Sequence, residues 1–544
     1  MALLRSAPSP NRAGWFRLSN RFNISGSIIW FPALLVVLAM SLPLIYLILR
    51  SLMASSEAWD LLFRVQTIKI LARSLILVIT VTSFSILIAV PIAWLTTRTD
   101  LPLRKTLGIL LALPLVIPTY VGGFLFVSAL GPRGFFQGML ERAFDVERIP
   151  EIYGLPGATF VLTVLSYPYI LLTVKGALAN LDPALEEVSR SLKAGFWKTN
   201  LQVVLPQLRP SIVYGSLLVA LYTLSDFGAV SLMRYDTFTW VIYQQYQNSF
   251  DRTIAALLSM VLVITVVVIL ATEVFTRGRA SYSSVGSGTS RIPQTIKLGV
   301  WKWIAFSFCA TILCLALILP LSILVYWMVR GIESGENFVF LWRHVFNSVA
   351  ISLVTGLVAA IIAVPIAIIT VRKRDIISRL LEKVSFIGYA LPGIVVALSL
   401  VYFGANFGKI FYQTIWILLL AYFVLFFPVA LGPIRSVVLQ IRPAVVESSR
   451  VLGKTELASL RLVTIPLVSK ALIAGGILVF LVTMKELPAS LILGPLGFKT
   501  LATEVWSTSS EAFFARAAAP ALLLVVLSSI PMAFLMFKDM RVKW

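Results

Sequence analysis

Few side chains in this chain of 544 residues could do chemistry, and their spacing argues against catalysis. A single histidine, His344, leaves no imidazole pair for acid–base work, and no H-E-x-x-H stretch exists to hold a metal. Cys309 and Cys314 are spaced so that they fall on different faces of one helix, so neither a disulfide nor a metal site is expected. The run GPLGFKT, Gly494 to Thr500, looks like a phosphate-binding loop but has the wrong spacing for G-x-x-x-x-G-K-[ST]. The neighbouring carboxylates Glu186 and Glu187 belong to a polar insert, and no catalytic residue is assigned. What remains is electrostatic. Asp226, Lys485 and Glu486 fall within long apolar runs, where a charge is expensive and therefore informative.

The elements that must position those charges are helices. Apolar residues make up 59% of the chain and the mean hydropathy is +0.93, against about 45–50% apolar in ordinary globular domains. The apolar runs are continuous, which suits spanning helices of about 20 residues and not the alternating strands of a barrel. Spans are expected near 28–49, 74–97, 106–130, 155–175, 211–233, 254–275, 303–328, 348–370, 384–404, 413–434, 471–493 and 517–537. A net charge of +22 would suggest nucleic acid in a soluble chain. Here the basic residues collect in alternate loops: Arg5, Arg12, Arg17 and Arg21 before the first span, Arg98, Arg104 and Lys105 after the second, and Arg277, Arg279, Arg291, Lys297 and Lys302 after the sixth. The positive-inside rule makes those loops and both termini cytoplasmic, membrane lipid the surrounding medium, and a nucleic-acid partner unnecessary.

The sequence repeats itself. IAVPIA occurs at Ile88 to Ala93 and again at Ile362 to Ala367, an offset of 274 that also relates Arg98 to Arg372. Further along the offset is 260: Pro183, Glu187, Ser189, Arg190, Leu192 and Pro206 recur as Pro443, Glu447, Ser449, Arg450, Leu452 and Pro466. Residues 1–275 then form one half, 303–544 the other, and 276–302 a cytoplasmic linker whose Ser281–Ser290 stretch is Gly/Ser-rich and flexible. Six spans in each give both halves one orientation about an axis along the membrane normal. Each half carries a polar insert, near 176–210 and near 435–470. In the first, Asp182 can cap a helix, Pro183 suits its first position, and Leu185, Val188 and Leu192 share a face. Such a helix can rest on lipid headgroups. Two copies about a two-fold axis can instead dock a two-fold symmetric cytoplasmic partner.

The inserts carry a recognisable pattern. Glu447, Ser448, Ser449, Gly453, Ile465 and Pro466 resemble the EAA motif of ABC importer permeases, the binding-protein-dependent inner-membrane components. Glu187, Ser189, Leu205 and Pro206 resemble it in the first copy, where Lys193 replaces the usual glycine and Gly195 stands close enough to displace the turn. The resemblance implies an all-α membrane protein, type I ABC importer permease-like, with about 12 transmembrane helices as two six-helix repeats in a bacterial inner membrane. It implies that each insert is a coupling helix seated in an ATPase, with Glu186, Glu187, Ser189, Arg190, Glu447, Ser449, Arg450 and Gly453 as coupling residues. The implied partners are two ATP-binding cassette subunits, which carry ATP and Mg, and an extracytoplasmic substrate-binding protein. No cofactor is expected on this chain. A fused double permease is similar to iron(III) and thiamine permeases, and the runs Asp226–Tyr243 and Lys485–Trp506 look most like the iron(III) group. A secondary transporter of two parallel halves would share the span count and have no need of the matched inserts.

Within the membrane the repeat aligns Asp226 with Glu486 and Ser225 with Lys485. Asp226 could meet Lys485 across the pseudo-two-fold axis as a neutralising pair. Alternatively Asp226, Lys485 and Glu486 line or gate the translocation pathway. Pro114 and Pro118, Pro392 and Gly393, and Tyr167–Pro168 with Phe427–Pro428 are expected to interrupt matched helices. A ferric cargo wants hard oxygen ligands, and the spans hold few carboxylates, so a low-affinity passage is expected and not a metal site.

Overall fold

The structure, a computed structural model, describes residues 27–131, 134, 136–137, 141, 151–181, 183–193, 195–249, 252–277, 295–336, 341–373 and 375–542. The Asp182 cap, the Leu185 and Arg190 side chains, most of the 131–154 loop and the Ser281–Ser290 stretch lie outside the described residues. Hydrocarbon offers backbone groups no partner, so the chain satisfies them within helices. Ten described helices are long and apolar enough to cross a membrane, and two bent pairs bring the total to as many as twelve.

The bent pairs have a local cause. Arg104–Val116 meets Thr119–Leu130 at 94°, and Ile376–Ala390 meets Gly393–Asn406 at 108°. Pro118 and Pro392 sit in extended backbone at the N-cap of each second member, and the residues before them, Ile117 and Leu391, are forced out of helical backbone as a proline requires. The spans expected at 106–130 and 384–404 are therefore broken, as the prolines suggested.

Two other expectations fail. Leu155–Asn180 runs helical through Pro168, and Ile415–Gln440 through Pro428. Tyr167 and Phe427 are fully buried beside those prolines, and the Tyr167 hydroxyl donates to the Leu111 carbonyl at 2.7 Å, so packing holds each helix across its missing bond. The fifth and eleventh spans stop earlier than their apolar runs suggest, at Ser225 and Met484. Short helices follow, Gly228–Leu232 and Pro488–Leu493, then Phe238–Asn248 and Leu501–Ser510.

The repeat is written in matched contacts. The Phe238 N–H donates to Ser74 Oγ at 3.1 Å, and the Leu501 N–H to Ser348 Oγ at 2.8 Å. Lys175 Nζ donates to the Gly108 carbonyl at 3.1 Å, while at the equivalent place Arg435 pairs with Glu382. Glycines let the fifth and eleventh spans press on the fourth and tenth: a Cβ at Gly215 would stand 2.8 Å from Ile170 Cα, and one at Gly475 3.2 Å from Ala430 Cα. The expected linker is fastened at its far end. The Ile296 N–H donates to the Arg98 carbonyl (2.9 Å), the Asp100 N–H to the Ile296 carbonyl (3.1 Å), and the Leu298 N–H to the Asp100 carboxylate (2.8 Å).

Gly215→Val should destabilise the protein by about 1–3 kcal/mol through overpacking. Thermal unfolding in detergent reads this against Gly432→Ala, inside the helix Ile415–Gln440, whose added Cβ meets nothing within 4 Å and should hold or slightly raise the midpoint.

Candidate functional site

Both polar inserts fold as a short helix, a turn and a second helix that feeds the next span. The leading helices are Pro183–Ser191 and Pro443–Val451. A hydroxyl clasp closes each insert: Ser189 Oγ and Thr199 Oγ1 lie 3.0 Å apart, and Ser449 Oγ and Ser459 Oγ 2.9 Å apart. Ser189 and Ser449 thus shape the insert from within. The turn needs left-handed backbone, with φ +80 at Gly453 and φ +58 at Lys193. Lys193 therefore adopts the glycine conformation at a steric cost of about 1 kcal/mol, and Gly195 does not take over the turn. A π-helical turn then leads into each span, Asn200–Val204 and Leu460–Thr464.

The insert carboxylates divide their work. Glu186 lies 3.2 Å from Arg98, which is only 3% exposed and also donates to the Leu178 carbonyl, so this glutamate ties the first insert to the second and fourth spans. In the other half Glu447 is the carboxylate that acts on Arg372, the repeat partner of Arg98. Glu187 and Glu447 are exposed, as are Val188, Leu192, Val451 and Leu452. Arg450 lies in the last turn of its helix. Each insert presents a small apolar tip with an acidic residue beside it.

The second cluster lies where the fifth and eleventh spans break. Asp226 Oδ1 accepts the Ala229 N–H at 3.0 Å and the Val230 N–H at 3.2 Å, capping the short helix that follows. The Thr119 hydroxyl, on the first residue of the helix Thr119–Leu130, turns to the same carboxylate. Glu486 repeats the arrangement. Its Oε1 accepts the Ala489 N–H at 3.2 Å and would stand 2.5 Å from a Cβ on Gly393, the first residue of Gly393–Asn406. Each carboxylate therefore faces two helix N-termini, whose partial positive charges offset its removal from water. The expected Asp226–Lys485 pair does not form. Lys485 Nζ reaches from the second half into the first and donates to the Leu115 carbonyl at 2.9 Å, in the tight turn that ends Arg104–Val116. Acids meet helix N-termini and the base a helix C-terminal carbonyl, and those local fields outweigh attraction between the two side chains.

The profile of the binding-protein-dependent transport system inner membrane component family matches residues 82–281 and again 352–543. The chain belongs to this family. Among similar proteins, the Fe(3+)-transport system permease protein FbpB 2 of Haemophilus influenzae is 33% identical over 513 residues, covering 93% of this chain and 97% of that one. The ferric transport system permease protein FbpB of Actinobacillus pleuropneumoniae is 22% identical over 78% of this chain and 64% of its own. The molybdenum transport system permease protein ModB of Escherichia coli K12 is 33% identical over 29% of this chain and 69% of its own. Each family match covers one insert and one central carboxylate of the permease.

Reading side chains alone missed Thr119 and the Leu115 carbonyl, and marked Gly393 as a helix breaker without its place beside Glu486. The available signal was the offset of 274, which places Thr119 opposite Gly393 immediately after Pro118 and Pro392.

Lys193→Gly should stabilise the permease by about 1 kcal/mol, and Gly453→Lys should cost a similar amount, both read from thermal midpoints. Because Asp226 and Lys485 share no partner, Asp226→Lys with Lys485→Asp should show additive losses within about 0.5 kcal/mol. Recovery in the double variant would show a direct pairing.

Proposed function

We propose that the chain is the transmembrane permease of an ATP-driven importer that takes up iron(III) handed over by an extracytoplasmic binding protein. The observation that carries this reading is likeness along 93% of the chain to a protein named for Fe(3+) transport. The matches to molybdenum and sulfate permeases cover 29% and 36% of the chain, which supports a shared family and not a shared cargo.

On this reading two ATP-binding cassette subunits, carrying ATP and Mg, seat the helices Pro183–Ser191 and Pro443–Val451 by their apolar tips, with Glu187 and Glu447 as the acidic contacts. Ser189, Ser449 and Gly453 keep each insert rigid enough to pass a push into the next span, and Arg190 and Arg450 flank the contact. The fifth and eleventh spans deliver that push to Asp226, Lys485 and Glu486. The Lys485–Leu115 bond joins the two halves and acts as the gate, breaking when they separate. On this reading the binding protein holds the ion and the permease supplies a low-affinity passage. Residues 1–275 and 303–544 act as the two halves, joined by 276–302, in a bacterial plasma membrane with both termini cytoplasmic.

The test is reconstitution of the permease with its ATPase in liposomes. Iron-loaded binding protein should stimulate ATP hydrolysis and thiamine-loaded binding protein should not; the reverse result moves the cargo to thiamine. Glu447→Lys should still insert and lose coupled uptake, and normal uptake by that variant would sink the docking role.

A further inference from the structure

A run of bonds joins the first insert to the seventh span by a route separate from the fifth. Glu186 of the insert lies 3.2 Å from the guanidinium of Arg98, the last residue of Val65–Arg98 and itself 3% exposed. The backbone beside Arg98 is taken up by the end of the linker. The Arg98 carbonyl accepts the Ile296 N–H at 2.9 Å, the Ile296 carbonyl accepts the Asp100 N–H at 3.1 Å, and the Asp100 carboxylate accepts the Leu298 N–H at 2.8 Å. Residues 296–298 thus lie parallel to residues 98–100 as a short strap, with Thr99 fully buried.

Beyond Leu298 two residues remain before the seventh span begins at Trp301. Fully extended, two residues reach about 7 Å, so little slack is available. Here they are turned, with Gly299 at φ +58 and the Trp301 N–H on the Leu298 carbonyl at 3.2 Å. The strap cannot shift far without moving the span. Further along that span, the π turn Cys314–Ile318 packs on Leu113–Val116 and on Leu155–Asn180 of the first half. Leu113–Val116 is the turn whose Leu115 carbonyl holds Lys485.

We propose that Arg98, residues 296–298 and the seventh span form a lever that carries displacement of the first insert to the Lys485–Leu115 contact. The proposal rests on the reading of the inserts as ATPase-docking helices. Ion pairs and backbone bonds suit such a lever because they fix direction as well as distance, whereas apolar contacts are non-directional. The end of the linker is then a working part of the coupling machinery as well as a joint between halves.

Amide hydrogen exchange on the full permease in detergent reads the strap without ATPase or cargo. Asp100→Ala removes the acceptor for Leu298, and Ile296→Pro removes the donor to Arg98. Each should speed exchange across Pro183–Ser191 about fivefold and leave Pro443–Val451 unchanged. Asp100→Asn keeps an acceptor oxygen and should exchange as the unaltered protein does, and size exclusion reports whether each variant is folded. In liposomes with the ATPase and iron-loaded binding protein, the two breaking variants should keep ATP hydrolysis and lose roughly threefold in uptake per ATP, with the ratio restored in Asp100→Asn. Exchange that is unchanged, or that rises equally in both inserts, overturns the strap. Faster exchange with undiminished uptake per ATP overturns the lever. If the unaltered permease supports no ATP-driven uptake, the importer reading falls and the lever with it, while exchange still decides the strap.

Discussion

A carboxylate can stay inside a bilayer when helix ends are brought to meet it, and the centre of this permease is arranged round two such meetings. Asp226 and Glu486 each receive a backbone N–H from the short helix that follows and face the first residue of a broken span. Remove the break at Pro118 or Pro392 and no second N-terminus is present at that depth. End the fifth span a turn later and the acid lies inside a helix with no free N–H groups to accept. Proline position, span length and carboxylate position are thus one constraint seen from three elements. Lys485 obeys it with the sign reversed, bonding to a carbonyl at the end of a helical turn.

Duplication preserved geometry more strictly than chemistry. The left-handed turn of the inserts is taken by Gly453 in one half and Lys193 in the other. A lysine bonded to a carbonyl in the first half corresponds to an arginine paired with a glutamate in the second. The clasping hydroxyl comes from Thr199 in one copy and Ser459 in the other. In each case the backbone arrangement survives while the groups that secure it have diverged. Such divergence leaves two inserts of one shape whose strain and charge differ.

Much of this was legible in the residues. Apolar length located the spans, the two offsets located the repeat, and Pro118 and Pro392 marked true breaks because the residues before them are driven out of helical backbone. Pro168 and Pro428 looked equivalent and were not, since the buried Tyr167 and Phe427 beside them support a continuous helix, and such support depends on neighbours distant in sequence. Opposite charges at matched depths suggested an Asp226–Lys485 pair. Their partners are backbone groups, which every residue carries and no residue type announces. The same blindness hid the internal role of Ser189, Ser449 and Glu186, whose pattern was visible and whose direction was not.

The π-helical turns at Asn200–Val204 and Leu460–Thr464 each accommodate one residue more than an α-helical turn would. An α-helix advances about 100° per residue, and five residues wound through a π turn cover roughly what four cover in an α turn, so losing one residue there restores regular winding and leaves the preceding helix close to its former bearing. Each π turn thus lets its span carry one extra residue without re-aiming the insert, whereas a codon lost from the regular winding beyond it rotates the insert away from its bearing.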